Sequence, residues 1–177
     1  MSLRVRSLEM GSRGMTLIEL IIAVTVVGIL AAALGFSFQG WARGYNVESQ
    51  IKRMHMDLMN ARARAMHNKR INFVDFPAAT QYNVYDDTNT APDGNGVLET
   101  GADTVVSQTN LDARYPVTWS NGTTVQFNAN GLSNNNNTIC STAAVAADYD
   151  CINITTTRIN MGQLNGGACN AASCAER

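Results

Sequence analysis

Three regimes of hydrophobic patterning divide the chain. From Leu20 to Phe38, 19 residues follow one another without a charge, close to the roughly 20 apolar residues that span a bilayer as a helix. Glu19 is the only charge between Met15 and Trp41. Further on, Val47, Ile51, Met54, Leu58, Ala61 and Ala65 recur at steps of four and three. That spacing lines them up on one helical face, and Lys52, Arg53, Arg62, Arg64 and Lys69 take the others. Together the two stretches predict an unbroken helix to about Asn68, on the order of 75–80 Å long at 1.5 Å per residue. Gly28, Gly35, Gly40 and Gly44 each dilute its helix propensity by about 1 kcal/mol, either as points of local melting or as packing residues.

From Ile71 the period changes to two. Ile71–Phe73, Tyr82–Val84, Tyr115–Trp119 and Thr123–Phe127 read as short strands. Asn121-Gly122 between the last two predicts a hairpin, because both residue types accept positive φ. Asp150–Arg158 predicts a further strand, Ser133–Asn137 a polar loop, and the Gly-, Ala- and Asn-rich stretch from Met161 a tail that would be floppy without a disulfide to pin it. The expected fold class is α+β. A long N-terminal α-helix, membrane-spanning in its first half and amphipathic in its second, packs its apolar stripe on an antiparallel β-sheet head.

Charge sharpens this division. Residues 39–70 carry a balance of +5 and residues 71–177 one of −7, so the formal net charge of −1 hides a basic stalk and an acidic head. An acidic head is a poor match for nucleic acid, whose phosphates are bound by clustered Lys and Arg. The basic cluster from Arg62 to Arg70 reads as a solvated face that meets the acidic head of a neighbour, with lipid headgroups or nucleic acid as the alternative.

All four cysteines, Cys140, Cys151, Cys169 and Cys174, lie in the last 38 residues. An even, clustered count downstream of an export-type segment reads as two disulfides formed in an oxidising compartment. Zinc competes poorly: neither pair has C-x-x-C spacing, and His55 and His67 lie far upstream. Four cysteines allow three connectivities. The simplest is local, with Cys140–Cys151 across a hairpin and Cys169–Cys174 pinning the tail.

The N-terminus departs from an ordinary signal peptide in two respects. Its apolar run is longer than the roughly 7–15 residues of such peptides, and its small residue, Gly14, precedes the run. Glu19 also stands near the start of the run, where a carboxylate is costly and usually functional. The segment Arg13-Gly14-Met15-Thr16-Leu17-Ile18-Glu19-Leu20 resembles the type IV prepilin signature. That resemblance implies a pilin-like fold, with residues 1–14 as a leader, 15–38 as membrane and assembly helix, 39–70 as periplasmic amphipathic helix and 71–177 as head. It further implies cleavage by prepilin peptidase between Gly14 and Met15, methylation of the new Met15 amine, and pairing of Glu19 with the N-terminal amine of a neighbouring subunit. Met15 stands where Phe is commoner in the family, and Phe36 where major pilins often carry Pro.

A second resemblance lies further along. Asp57-Leu58-Met59-Asn60-Ala61-Arg62-Ala63-Arg64-Ala65-Met66 looks like the D-L-x-x-A-R-x-x-A stretch of GspH/FimT pseudopilins, and Val125-Gln126-Phe127-Asn128-Ala129-Asn130-Gly131 like their F-x-x-x-G strand ending. The implied function is structural: a minor pseudopilin of a type II secretion system, in the bacterial inner membrane with its head in the periplasm. The expected partners are prepilin peptidase, other pilin or pseudopilin subunits and the inner-membrane assembly platform. The alternative is a minor pilin of a type IV pilus serving priming, adhesion or motility. DNA uptake ranks below both, because only Arg158 stands where some members carry DNA-binding basic residues. No phosphate-cradling glycine loop or nucleophile elbow points to an enzyme. No cofactor is expected, apart from calcium at an oxygen-rich loop containing Asp86, Asp87, Asn89, Asp93, Asn95 and Glu99. Its spacing departs from an EF-hand, because Ala91 and Pro92 intrude.

Overall fold

The computed structural model describes residues 14–90 and 94–177, with 34–38 described as helix backbone only. The chain separates into two compact units, Met1–Gln39 and Gly40–Arg177. The predicted leader lies outside the described residues except for Gly14, and so does Asp93 of the predicted calcium loop.

Helix α1 spans Leu17–Asn68, as the apolar pattern predicts. In the first unit its side chains are exposed from Leu17 to Ala33. Among the described residues no helix is long and apolar enough to cross a membrane. Described side chains of the predicted span stop at Ala33, and 34–38 lie outside them.

In the second unit the expected stripe is buried without exception: Val47, Ile51, Met54, Leu58, Ala61 and Ala65 are all at most 1% exposed. Gly44 continues the stripe by close approach. A Cβ there would stand 2.1 Å from the Ala146 carbonyl oxygen, so this glycine is a packing residue. Gly28 and Gly40 have open space around them. The helix stops where Lys69 adopts a left-handed φ of 56°, the conformation that ends many helices.

Among the described residues nine strands follow, all antiparallel to their neighbours. One sheet has the order β3-β2-β1-β5, built from β1 (Asn72–Ala78), β2 (Gln81–Asp86), β3 (Thr104–Asn110) and β5 (Thr124–Phe127). The other has the order β4-β6-β7-β8-β9, built from β4 (Val117–Trp119), β6 (Asn137–Ser141), β7 (Cys151–Ile154), β8 (Ile159–Leu164) and β9 (Cys174–Glu176). Val74, Phe76 and Tyr82 of the first sheet and Ile139, Ile152 and Ile154 of the second join the helix stripe in one hydrophobic core.

Three strand-level expectations need correction. Asn121-Gly122 makes a turn, with Gly122 at φ 61°, but not a hairpin: β4 pairs with β6, and β5 with β1. The Asn137 side chain accepts the Asn121 N–H at 3.0 Å and donates to the Gly122 carbonyl at 3.2 Å. That clamp holds the turn to β6 while the chain passes to the other sheet. The strand expected over 150–158 ends at Ile154, because the Thr155 N–H donates to the Arg158 carbonyl at 2.8 Å and closes a turn. The tail from Met161 is held by more than a disulfide: it completes β8 and supplies β9, with Leu164 opposite Cys174.

Candidate functional site

The candidate processing and assembly residues stand together at the start of α1. Gly14 is exposed and a Cβ on it would meet nothing within 4 Å. Met15 is 67% exposed. Thr16 caps the helix: its carbonyl receives the Leu20 N–H at 3.2 Å, and its hydroxyl receives the Glu19 N–H at 3.3 Å. Thr16-Leu17-Ile18-Glu19 thus has the form of a capping box, and a negative side chain in the first turn suits the positive end of the helix dipole. Glu19 is exposed in the first turn, reachable by a second chain. The T-x-x-E spacing is the sequence signal for this capping context.

The residues of the D-L-x-x-A-R stretch fasten α1 to the head. Leu58 and Ala61 are buried. The Asp57 carboxylate accepts the Tyr82 hydroxyl at 2.5 Å, and Arg62 donates to the Thr157 carbonyl at 2.9 Å. Burial, reinforced by the hydrogen bond to Asp57, pushes the Tyr82 phenol well above its ordinary value. Arg64 pairs with the largely buried Asp86 at 3.0 Å. Part of the basic cluster expected to meet a neighbour therefore binds its own head. Gly131, which ends the F-x-x-x-G stretch, has φ 75°, and a Cβ there would lie 2.7 Å from the Met66 sulfur. That position requires glycine on both counts.

In the acidic loop the structure brings Asp87, Asn89, Asn95 and Glu99 together, but through N–H donors. Asp87 is fully buried and accepts the Asn95 and Gly96 amides at 3.1 and 2.7 Å. Glu99 accepts the side-chain amides of Asn89 at 2.6 Å and Asn95 at 3.1 Å. Asp103, outside the residues expected for this loop, accepts the Thr88, Asn89 and Glu99 amides at 3.0, 3.1 and 2.8 Å. No sequence signal marked it, since its partners lie up to 15 residues away. Among the described residues no group of three or more His, Cys, Asp or Glu side chains is placed to hold a metal ion.

The cysteines do form two disulfides, but the local pairing is corrected. The bonds are Cys140–Cys169 and Cys151–Cys174. Cys140 and Cys151 face each other across β6 and β7, yet each turns to a partner brought back by the tail. Gly162 makes this possible. It lies on β8 between Cys151 and the last strand, and a Cβ on it would stand 2.3 Å from the Ala175 oxygen and 3.1 Å from the Cys174 sulfur.

Residues 10–35 match the prokaryotic N-terminal methylation motif. Residues 50–157, more than half of the chain, match the family described as type II transport protein GspH. The chain belongs to the GspH family. Two crystal structures of the type IV minor pilin FimU from Pseudomonas aeruginosa PAO1 are similar in fold at 15% identity. One alignment covers 70% of this chain and 92% of FimU with a TM-score of 0.53, the other 66% and 92% with a TM-score of 0.50. No curated protein sequence matches the chain. This GspH-family chain thus joins the N-terminal methylation motif to a pilin-like fold, and its family and fold are those of structural pilins.

Proposed function

We propose that the chain is a minor pseudopilin of a type II secretion system, held in the bacterial inner membrane with its head in the periplasm and incorporated into the pseudopilus. The observation that carries this reading is the GspH match over 50–157, joined in one chain to the methylation motif over 10–35. Prepilin peptidase removes residues 1–14 and methylates the Met15 amine. The exposure of Gly14 and Met15 supports this step, because a peptidase must reach both sides of the bond it cuts.

Assembly then uses the apolar residues 15–38 and Glu19. The Met15 amine of one subunit pairs with the Glu19 carboxylate of a neighbour. In a low-dielectric filament core each charge is strongly penalised alone and strongly attracted to the other. The exposed apolar side chains from Leu17 to Leu30 supply the surface that lipid first covers and neighbouring subunits then cover. The fold likeness to FimU supports a second reading, a minor pilin of a type IV pilus.

The two readings separate by cross-linking in native membranes, affinity capture of this chain and mass-spectrometric identification of its neighbours. Recovery of secretion pseudopilins and their inner-membrane platform is the expected result. Recovery of pilus subunits with a retraction ATPase overturns the secretion reading in favour of the pilus.

A further inference from the structure

The disulfide framework of the head implies a step in its maturation. The two bonds interleave along the chain, spanning 29 and 23 positions. A third disulfide is geometrically at hand. Cys140 and Cys151 are register partners on β6 and β7, only 11 positions apart (151 − 140). The next pair along, Ser141 and Asp150, is joined by a Ser141 N–H bond to the Asp150 carbonyl at 2.8 Å. Antiparallel pairs alternate, so Cys140 and Cys151 form a non-hydrogen-bonded pair, with Cα atoms about 4.5 Å apart and side chains on one face. That spacing falls within the roughly 4.4–6.8 Å that disulfides accept. Closing the shorter loop is also favoured by about three- to fourfold over either native loop, from the 3/2-power dependence on length. The β6–β7 pairing further needs nothing from the tail, whereas both native bonds wait for residues 169–174.

We infer that oxidation first joins Cys140 to Cys151 and Cys169 to Cys174, and that a thiol–disulfide isomerase, a dithiol protein, converts this pairing to the native one. The exchange balances without a net oxidant. The isomerase thiolate attacks the Cys140 sulfur, forms a mixed disulfide and expels the Cys151 thiolate. Cys151 attacks Cys174 and expels the Cys169 thiolate. Cys169 then attacks the mixed disulfide at Cys140, completing the second native bond and releasing the isomerase thiolate. Each step is an ordinary displacement at a disulfide sulfur. The exchange must precede closure of the sheets, because in the finished fold Cys140 and Cys151 are 0% exposed and Cys174 is 3% exposed. An exported location, part of the proposed function, fixes only the compartment in which the isomerase acts.

The test uses the full chain, reduced, unfolded and returned to detergent buffer with oxidised glutathione alone or with a purified thiol–disulfide isomerase and reduced glutathione. Samples are acid-quenched and cut at Asp150 and Arg158, which separates Cys140, Cys151 and the Cys169/Cys174 segment onto three peptides. We expect the first samples to show the Cys140 and Cys151 peptides linked only to each other. The catalyst should raise the rate at which all three peptides become joined by on the order of tenfold. Direct appearance of the three-peptide species at equal rates in both conditions overturns the inference. A Cys169→Ser/Cys174→Ser chain supplies an independent check that does not require native folding. It should oxidise to a Cys140–Cys151 disulfide, and persistence of two free thiols overturns the inference as well.

Discussion

The two halves of α1 carry apolar surfaces of opposite character. From Leu17 to Leu30 large apolar side chains lie on every side of the helix, and the least exposed of them, Ile21, is still 48% exposed. From Val47 to Ala65 the apolar residues form one stripe, and each is at most 1% exposed. One helical geometry thus serves two environments. A helix apolar all round needs lipid or other subunits to cover it, whereas a single stripe is satisfied by the protein's own sheets. The boundary falls where the chain acquires charge: Arg43, Glu48, Lys52 and Arg53 enter, and the polar side chains bind the head at their flanks. Gln50 donates to the Tyr115 carbonyl at 2.7 Å and accepts the Asp112 amide at 3.1 Å.

The contrast breaks first at Glu19. Glu19→Ala should lower recovery in sheared filaments by tenfold or more at equal membrane level, since the neighbour's amine loses a partner in a low-dielectric core. Its head should melt as the parent does; normal incorporation would remove the assembly role.

A paired substitution then sharpens the contrast within the helix. Leu58→Ala should cost about 2–5 kcal/mol in head stability, as the loss of a buried leucine does. Ile22→Ala, on an exposed face, should stay within about 0.5 kcal/mol. Equal losses in denaturant titration would mean that the two halves do not differ as described.

Within the head, Asp87→Asn weakens the acceptor of two loop amides and should cost about 1–3 kcal/mol. Because those oxygens already receive N–H groups, a chelator should leave the parent's melting temperature unchanged. A fall on chelation would place calcium in this loop.

The smallest effect concerns pH. Tyr82 has its phenol pKa raised from 10.0 by burial and by Asp57. Below the unfolded value both states keep the proton. Above it the unfolded chain ionises while the folded one does not, so stability falls with rising pH. Tyr82→Phe should cost about 1 kcal/mol at neutral pH and flatten the decline above pH ~10. An unchanged slope would show that Tyr82 does not set it.

What was legible in the sequence follows from the range of each signal. The helix stripe was readable because its spacing is local and repeats over five turns, and all six expected residues are buried. The Asn121-Gly122 turn was readable, but its topology was not. A two-residue signal reports positive φ, whereas the choice of partner strand rests on Asn137, 16 residues away. The disulfides were legible as a pair and misread as a connectivity. The shortest loop closes most easily, yet the native bonds depend on the return of β9 past Gly162. Strand β3 carried too little alternation to be seen: Thr104 and Val105 are both exposed, and it lies at the edge of its sheet. The sequence placed Gly14, Met15 and Glu19 through a motif, and their cluster at the capped end of α1 required only the local order of the chain.

The central claim is that the N-terminal segment is processed and used as a pilin's is. It is tested most directly by intact-mass measurement and N-terminal fragmentation of the chain purified from its native membranes, beside Gly14→Glu. The account predicts a parent chain that begins at N-methylated Met15 and a variant that keeps residues 1–14. A parent chain that retains those residues, or a Gly14→Glu chain that matures normally, would contradict it.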